Sequence, residues 1–202
     1  LTASAREQAN LMIALCMPAA AGVALVAHPL AEVMVGPALR EGASTVTPWI
    51  TLAGAFAGFT TYYFHQAFTL ARRTGLLLAA MAVPAVANLA LTLILIPRFG
   101  LNGALWATAA SYGLGICASA IIGRRVMPLP IPWMTLARAG LATALMAAAV
   151  SQVPDFGGPV ELFAKAAVGG VIYGVAAAIL DVGGLRGRAM RMLTARRAGV
   201  AA

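Results

Sequence analysis

The chain has 202 residues, of which 61% are hydrophobic and 10% charged, and its mean hydropathy is +0.89. Soluble domains carry roughly 45–50% apolar residues, and six acidic side chains are too few to solvate a water-borne protein of this size, so a soluble fold is excluded. The net charge of +8 comes from arginines grouped between apolar runs without interleaved aromatics, which is the pattern of membrane topology and not of nucleic-acid binding.

The opening Leu1-Thr-Ala-Ser-Ala-Arg-Glu-Gln-Ala-Asn10 has neither the charged n-region nor the cleavage site of a signal peptide, and the expectation is that it continues a longer chain. A spanning helix needs about 20 mostly apolar residues to cross a ~30 Å hydrocarbon core. Six segments meet or approach that length: 11–30, 46–70, 76–96, 101–122, 134–150 and 160–180. Between them lie Gly36-Pro37, Arg72-Arg73-Thr74-Gly75, Pro97-Arg98-Phe99-Gly100, Met127-Pro-Leu-Pro-Ile-Pro132 and Pro154-Asp-Phe-Gly-Gly-Pro159. Such irregular stretches belong at the water interfaces, because unsatisfied backbone groups are costly in lipid. The expected fold is therefore an all-α integral membrane protein, a bundle of six transmembrane helices over residues 1–183, followed by an Arg-rich cytoplasmic tail at 184–202.

Alternating spans sort the cations. Arg6, Arg72, Arg73, Arg124, Arg125, Arg138, Arg186, Arg188, Arg191, Arg196 and Arg197 fall on or near one side, and Arg40, Arg98 and Lys165 on the other. Eleven against three is a positive-inside bias that puts both termini in the cytoplasm. The tail carries five arginines and no acid, a composition suited to anionic lipid head groups.

The second span holds a stripe, Thr47, Thr51, Gly54, Gly58, Thr61 and His65, at steps of four, three, four, three and four residues, which share one helix face. Two readings stand: a packing seam around Gly54 and Gly58, or a wall whose cytoplasmic end, with Tyr62, His65 and Gln66, borders a hydrated cavity leading towards Arg72 and Arg73. His65 is a candidate for proton coupling, because histidine titrates near pH ~6.5. His28, beside Pro29, belongs at the opposite interface. In the third span Pro84, Asn88 and Thr92 share a face, and an Asn in mid-membrane either bonds across helices or lines a cavity. Thr108, Tyr112, Gly115 and Ser119 form a comparable seam in the fourth.

No acidic residue lies near the middle of a span, so a carboxylate ion relay has no candidate. Cys16 and Cys117 sit in separate apolar runs and suggest neither a disulfide framework nor a metal site. No nucleotide motif or metal-ligand cluster is present, and no cofactor is expected. Ser111 is a faint candidate nucleophile of an intramembrane hydrolase, but no later span supplies a histidine for it. No catalytic residue is assigned, and an enzyme is not expected.

The stretch Asn88-Leu-Ala-Leu-Thr-Leu-Ile-Leu-Ile-Pro-Arg-Phe-Gly-Leu-Asn-Gly-Ala-Leu-Trp-Ala-Thr-Ala-Ala-Ser-Tyr112 closely resembles a helix–loop–helix signature of polysaccharide flippases, in the multidrug/oligosaccharidyl-lipid/polysaccharide exporter superfamily. Pro97, Gly100, Gly103, Ala104, Ala107 and Thr108 match its pattern. Pro29-Leu-x-x-x-Met-Val-Gly36, Tyr62 to Gln66, and Leu70-Ala-Arg-Arg73 resemble the same family's C-terminal half. The resemblance implies one lobe of a two-lobed exporter in the bacterial inner membrane, partnered by an N-terminal lobe. It implies a lipid-linked oligosaccharide substrate, carried on a polyprenyl diphosphate, with coupling to a H+ or Na+ gradient. Tyr62, His65, Gln66, Arg72, Arg73, Asn88 and Thr92 are then the candidates for the substrate path, and Gly54, Gly58, Gly100 and Gly103 for close helix packing. A multidrug or lipid II exporter of the same superfamily is the alternative within transport. A non-transporting scaffold subunit is the alternative outside it.

Overall fold

The computed structural model describes residues 2–124 and 132–184. Among them every regular element is helical: α1 (Thr2–Leu25), α2 (Ala27–Met34), α3 (Arg40–Phe59), α4 (His65–Leu70), α5 (Thr74–Arg124), α6 (Trp133–Val150) and α7 (Gly158–Ile179). A π turn, Thr60–Phe64, joins α3 to α4, and short 3-10 turns lie at Pro37–Leu39 and Val182–Gly184. A sequence this apolar satisfies its backbone within each segment, and only a helix does that locally. Arg125, the tail arginines Arg186, Arg188, Arg191, Arg196 and Arg197, and most of the 127–132 turn lie outside the described residues.

Helix α1 is central, touching α3, α6 and α7. Its contacts with α6 and α7 centre on the buried small residues Ala14, Ala139, Ala142, Ala176 and Ala177, with Ile13, Met17 and Tyr173 packed around them. Small side chains let helix backbones approach where apolar surroundings give no hydrophobic drive for association. Polar side chains then tie the helices at one end of the bundle. Thr135 Oγ1 donates to Asn10 Oδ1 at 2.7 Å, Tyr173 Oη donates to the Ala14 carbonyl at 2.6 Å, and Arg138 Nη1 donates to the Asp181 carbonyl at 3.3 Å. These contacts bring the start of α6 and the C-terminal part of α7 beside the stretch of α1 from Asn10 to Ala14, so α6 runs parallel to α1 and α7 runs back.

At the other end, α2 follows a one-residue break at Val26 and packs on α3 and α7. Glu32 Oε2 accepts the Gly158 N–H at 2.6 Å, and Glu161 Oε2 accepts the Gly157 N–H at 2.9 Å. Both glycines have positive φ, +77° and +59°, and their N–H groups open α7, where an anion is favoured by the helix dipole. Lys165 Nζ bonds Glu161 Oε1 at 2.5 Å and Asp155 Oδ1 at 2.8 Å. Glu161 is buried, with a side chain only 3% exposed.

Helix α5 has 51 residues, about 76 Å if straight, more than twice a ~30 Å hydrocarbon core. It is not straight. Gly100 has φ 56° and ψ −132°, a non-helical conformation inside the element, and the chain folds back on itself there. Asn88 Nδ2 consequently meets Thr108 Oγ1 across the hairpin at 3.4 Å. A Cβ on Gly103 would overlap the Leu95 carbonyl, and one on Gly115 would lie 3.1 Å from Pro84. The second arm packs on α3 and α4, with Gly113 against Phe56 and Gly123 against Phe68. The first arm leaves Leu78, Val86, Leu89 and Leu93 exposed.

Four helices among the described residues are long and apolar enough to cross a membrane: Arg6–Leu25 of α1, α5, α6 and α7. That is a multi-pass, all-α membrane protein, but four such helices differ from the six expected. One reason is that the segments expected at 76–96 and 101–122 form a single element around Gly100. The other is that the segment expected at 46–70 is divided among α3, the π turn and α4. Its threonines and glycines also leave α3 less apolar than the helices that qualify. The close approach expected at Gly54 and Gly58 is likewise absent among the described residues. A Cβ at either position would meet nothing within 4 Å, because the neighbouring helices pack on other faces of α3.

Gly100→Ala is expected to lower stability by about 1–3 kcal/mol, the cost of forcing a side chain into a backbone region it rarely adopts. Gly54→Ala, with open space around it, is expected to leave stability unchanged or raise it; denaturant unfolding in detergent micelles checks both. Lys165→Met strands the buried Glu161 and is expected to cost about 3–5 kcal/mol, measured the same way. The hydrogen bond from Lys165, with its charge, holds the exposed Asp155 carboxyl below its ordinary value of 3.8. Asp155 is therefore a group with a depressed folded-state pKa, whose contribution is present above pH 3.8 and is lost as pH falls through that lower value. Asp155→Asn removes this contribution near neutrality and with it the acid-limb dependence, so the stabilities of parent and variant converge as pH falls in denaturant unfolding followed against pH.

Candidate functional site

A cavity of about 660 Å³ opens between the π turn and the two arms of α5. Its formation depends on two departures from regular helix. The π turn Thr60–Phe64 is a feature found mostly as single turns, frequently at functional sites. Thr60 Oγ1 donates to the Phe56 carbonyl at 2.8 Å, and such back-bonding often bends a helix. On the inner side of this segment Phe64 and Tyr63 are buried against Phe59, with ring centroids 5.2–5.7 Å apart. Those aromatics anchor one face, and Thr60, Thr61 and His65 line the cavity on the other. Opposite them the first arm presents Pro84 and Asn88, and the second arm presents Thr108, Ser111 and Tyr112.

The polar atoms of the wall are arranged in a particular way. Thr108 Oγ1 donates to the Ala104 carbonyl at 2.9 Å and Ser111 Oγ to the Ala107 carbonyl at 2.5 Å. Their protons are committed to the helix, so each oxygen retains acceptor capacity. Asn88 Nδ2 uses some of it at Thr108 and leaves the other amide donor and the carbonyl. His65 Nε2 is shielded from solvent and has no hydrogen-bond partner. No lysine, arginine, aspartate or glutamate is among the lining residues. The site is suited to a neutral ligand with hydroxyl or amide groups, and it offers nothing to neutralise a phosphate. Ser111 and His65 share the cavity but form no hydrogen bond with each other.

Of the substrate-path candidates, His65 and Asn88 are brought together in this cavity. The Gln66 side chain and the Tyr62 backbone meet α1 instead, and the Tyr62 side chain is exposed. Gln8 Nε2 donates to the Tyr62 carbonyl at 2.9 Å and to Gln66 Oε1 at 3.1 Å. Arg72 and Arg73 are exposed at the α4–α5 turn, Arg72 in the left-handed region at φ 53°. Thr92 is half-buried one turn from Asn88 and does not line the cavity. Thr60 and Ser111 are wall residues that spacing along one helix did not single out for this role. For Ser111 a signal exists, because it adjoins Tyr112 and lies three residues after Thr108 on the helix facing Asn88. Thr60 faces the cavity by virtue of the π turn.

Among the described residues no group of three or more His, Cys, Asp or Glu is placed to hold a metal ion. No protein-family model, curated protein or solved structure matches the chain.

A wall of this kind admits water. With Cys16 and Cys117 replaced by Ser, Asn88→Cys in the membrane-inserted protein is expected to react with a small water-soluble thiol reagent, and Leu89→Cys, on the exposed face of the same arm, to resist it. Mass spectrometry of the labelled protein reads the difference.

Proposed function

We propose that this chain is the C-terminal lobe of a bacterial inner-membrane flippase, which carries a polyprenyl-diphosphate-linked oligosaccharide from the cytoplasmic to the periplasmic leaflet. The observation that carries the reading is the neutral hydrogen-bonding cavity enclosed by Asn88, Thr108, Ser111, His65 and the π turn inside an otherwise apolar bundle. A sugar needs many weak hydrogen bonds and no fixed charge, which is what these side chains offer. The turn that carries the sequence resemblance, from Pro97 to Ala104, coincides with the reversal at Gly100 that aligns Asn88 with Thr108.

On this reading the bundle makes six crossings. Helices α3 and α4 with the π turn contribute one, and the two arms of α5 contribute two; α1, α6 and α7 contribute the others. Both termini of the segment are then cytoplasmic, in keeping with the arginine distribution. The diphosphate is met outside the cavity, by interfacial cations such as Arg72 and Arg73. Alternating access requires a second lobe to rock against this one. The proton or sodium coupling implied by the resemblance has in His65 a group able to exchange a proton.

The test uses the full-length gene in its own cells. Its deletion is expected to deplete surface polysaccharide while lipid-linked oligosaccharide accumulates on the cytoplasmic leaflet. Asn88→Ala, which removes about one neutral hydrogen bond from the site, is expected to slow flipping by about two- to tenfold at unchanged protein level. Normal polysaccharide and no accumulation in the deletion strain contradict the proposal. Accumulation of a peptidoglycan precursor instead assigns the cargo to lipid II.

A further inference from the structure

On the other side of α3 from the polar cavity lies an apolar cleft of about 840 Å³, bounded by α1, α3, the second arm of α5 and α6. Along α1 its lining runs from Met12 to Ala24, about 18 Å of helix, whereas one leaflet's share of a ~30 Å hydrocarbon core is about 15 Å. Alanine, phenylalanine, methionine, isoleucine and leucine make up most of its walls, and methionine is an unbranched side chain that adapts to irregular partners. Arg124 supplies the charge among the lining residues, and no acid accompanies it. Arg124 lies one turn beyond Ala120, which packs with Met12 and Phe64 at one end of the cleft. Trp133 lines the cleft as well and is 66% exposed, in keeping with the interfacial preference of tryptophan.

We propose that this cleft binds one acyl chain of an anionic phospholipid, with the lipid phosphate resting on Arg124. Three features point to that occupant. The cleft is as deep as one leaflet, so a chain entering beside Arg124 fills it without crossing the bilayer midplane by more than a few ångströms. The charge at its mouth is positive, which favours lipids of net negative charge over zwitterionic ones. Its walls are apolar apart from Arg124 and Thr143, so an unfilled cleft forfeits dispersion contacts along its length. The site shares no lining residue with the polar cavity and does not depend on the transport reading.

The experiment uses the full-length protein in bilayers with Trp49→Phe and Trp106→Phe, which leaves Trp133 as the fluorophore of this lobe. Tryptophans elsewhere in a longer chain are replaced in the same way. Phosphatidylglycerol or phosphatidylcholine brominated on the acyl chain is titrated in. Half-maximal quenching is expected at a roughly fivefold lower mole fraction of the anionic lipid, the preference that one basic residue near the surface confers. Arg124→Gln is expected to bring the two lipids to the same value, while circular dichroism stays that of the parent. Ala20→Leu, which fills the cleft from α1, is expected to weaken quenching by both. Equal quenching by the two lipids in the parent, an anionic preference that survives Arg124→Gln, or no quenching of Trp133 overturns the proposal. The last result assigns the cleft to a protein partner.

Discussion

A peptide group that enters hydrocarbon loses water as a partner, and this requirement governs the whole molecule. Every regular element among the described residues is helical because a helix pairs its own N–H and C=O groups locally. The same requirement decides where the chain is irregular. The Gly157–Gly158 start of α7 is met by two carboxylates, Glu32 and Glu161, and the turn at Arg72 is closed by backbone bonds from Arg72 to Thr69 and from Arg73 to Phe68. Polar side chains inside the bundle follow suit. Thr47, Thr51, Thr60, Thr108 and Ser111 all return their hydroxyl protons to the carbonyl four residues back.

Against that background the cavity is an organised exception. Helix packing by alanine leaves α1, α6 and α7 in close contact, whereas the π turn and the two arms of α5 leave a cavity between them, lined by Thr60, His65, Pro84 and Asn88. Irregular helices deep in a membrane are tolerated where they line a cavity. The resulting wall holds acceptor oxygens, one amide and one imidazole without a partner. Chemistry at this site is consequently that of neutral hydrogen bonding, and the strong charges lie elsewhere. One set is the buried Glu161–Lys165 pair under α2, and the others are the arginines at the helix ends. This separation of charge from the cavity makes it a better match for a neutral hydroxyl- or amide-bearing ligand than for an anion.

Much of the fold was legible in the sequence because apolar runs and Pro/Gly breaks are local signals. The expected 134–150 and 160–180 segments lie within two residues of α6 and α7, and Asn88 and Thr108 were both visible as polar residues on helix faces. The pairing of those two depends on the hairpin register, which Gly100 and Gly103 impose through backbone conformation and close approach. The π turn was not legible, since one extra residue in a helical turn leaves no periodic signature in five residues of Thr, Tyr and Phe. Regular helical spacing therefore groups Tyr62 and Gln66 with His65, although Gln8 bonds the Tyr62 carbonyl and the Gln66 side chain. The Glu161–Lys165 pairing is a common i,i+4 spacing, but the bond from the Gly158 N–H beside it to Glu32 joins residues 126 positions apart and has no sequence signal.

On the reading proposed above, α5 crosses the bilayer twice, reversing at Gly100, with Arg73 and Arg124 on the same side. Single cysteines introduced at Thr74 and Asn102 in otherwise cysteine-free protein, labelled in intact cells with a membrane-impermeant maleimide, test it most directly. The account predicts that the Asn102 position is labelled from outside and the Thr74 position only after the membrane is opened. Labelling of both positions from the same side contradicts it.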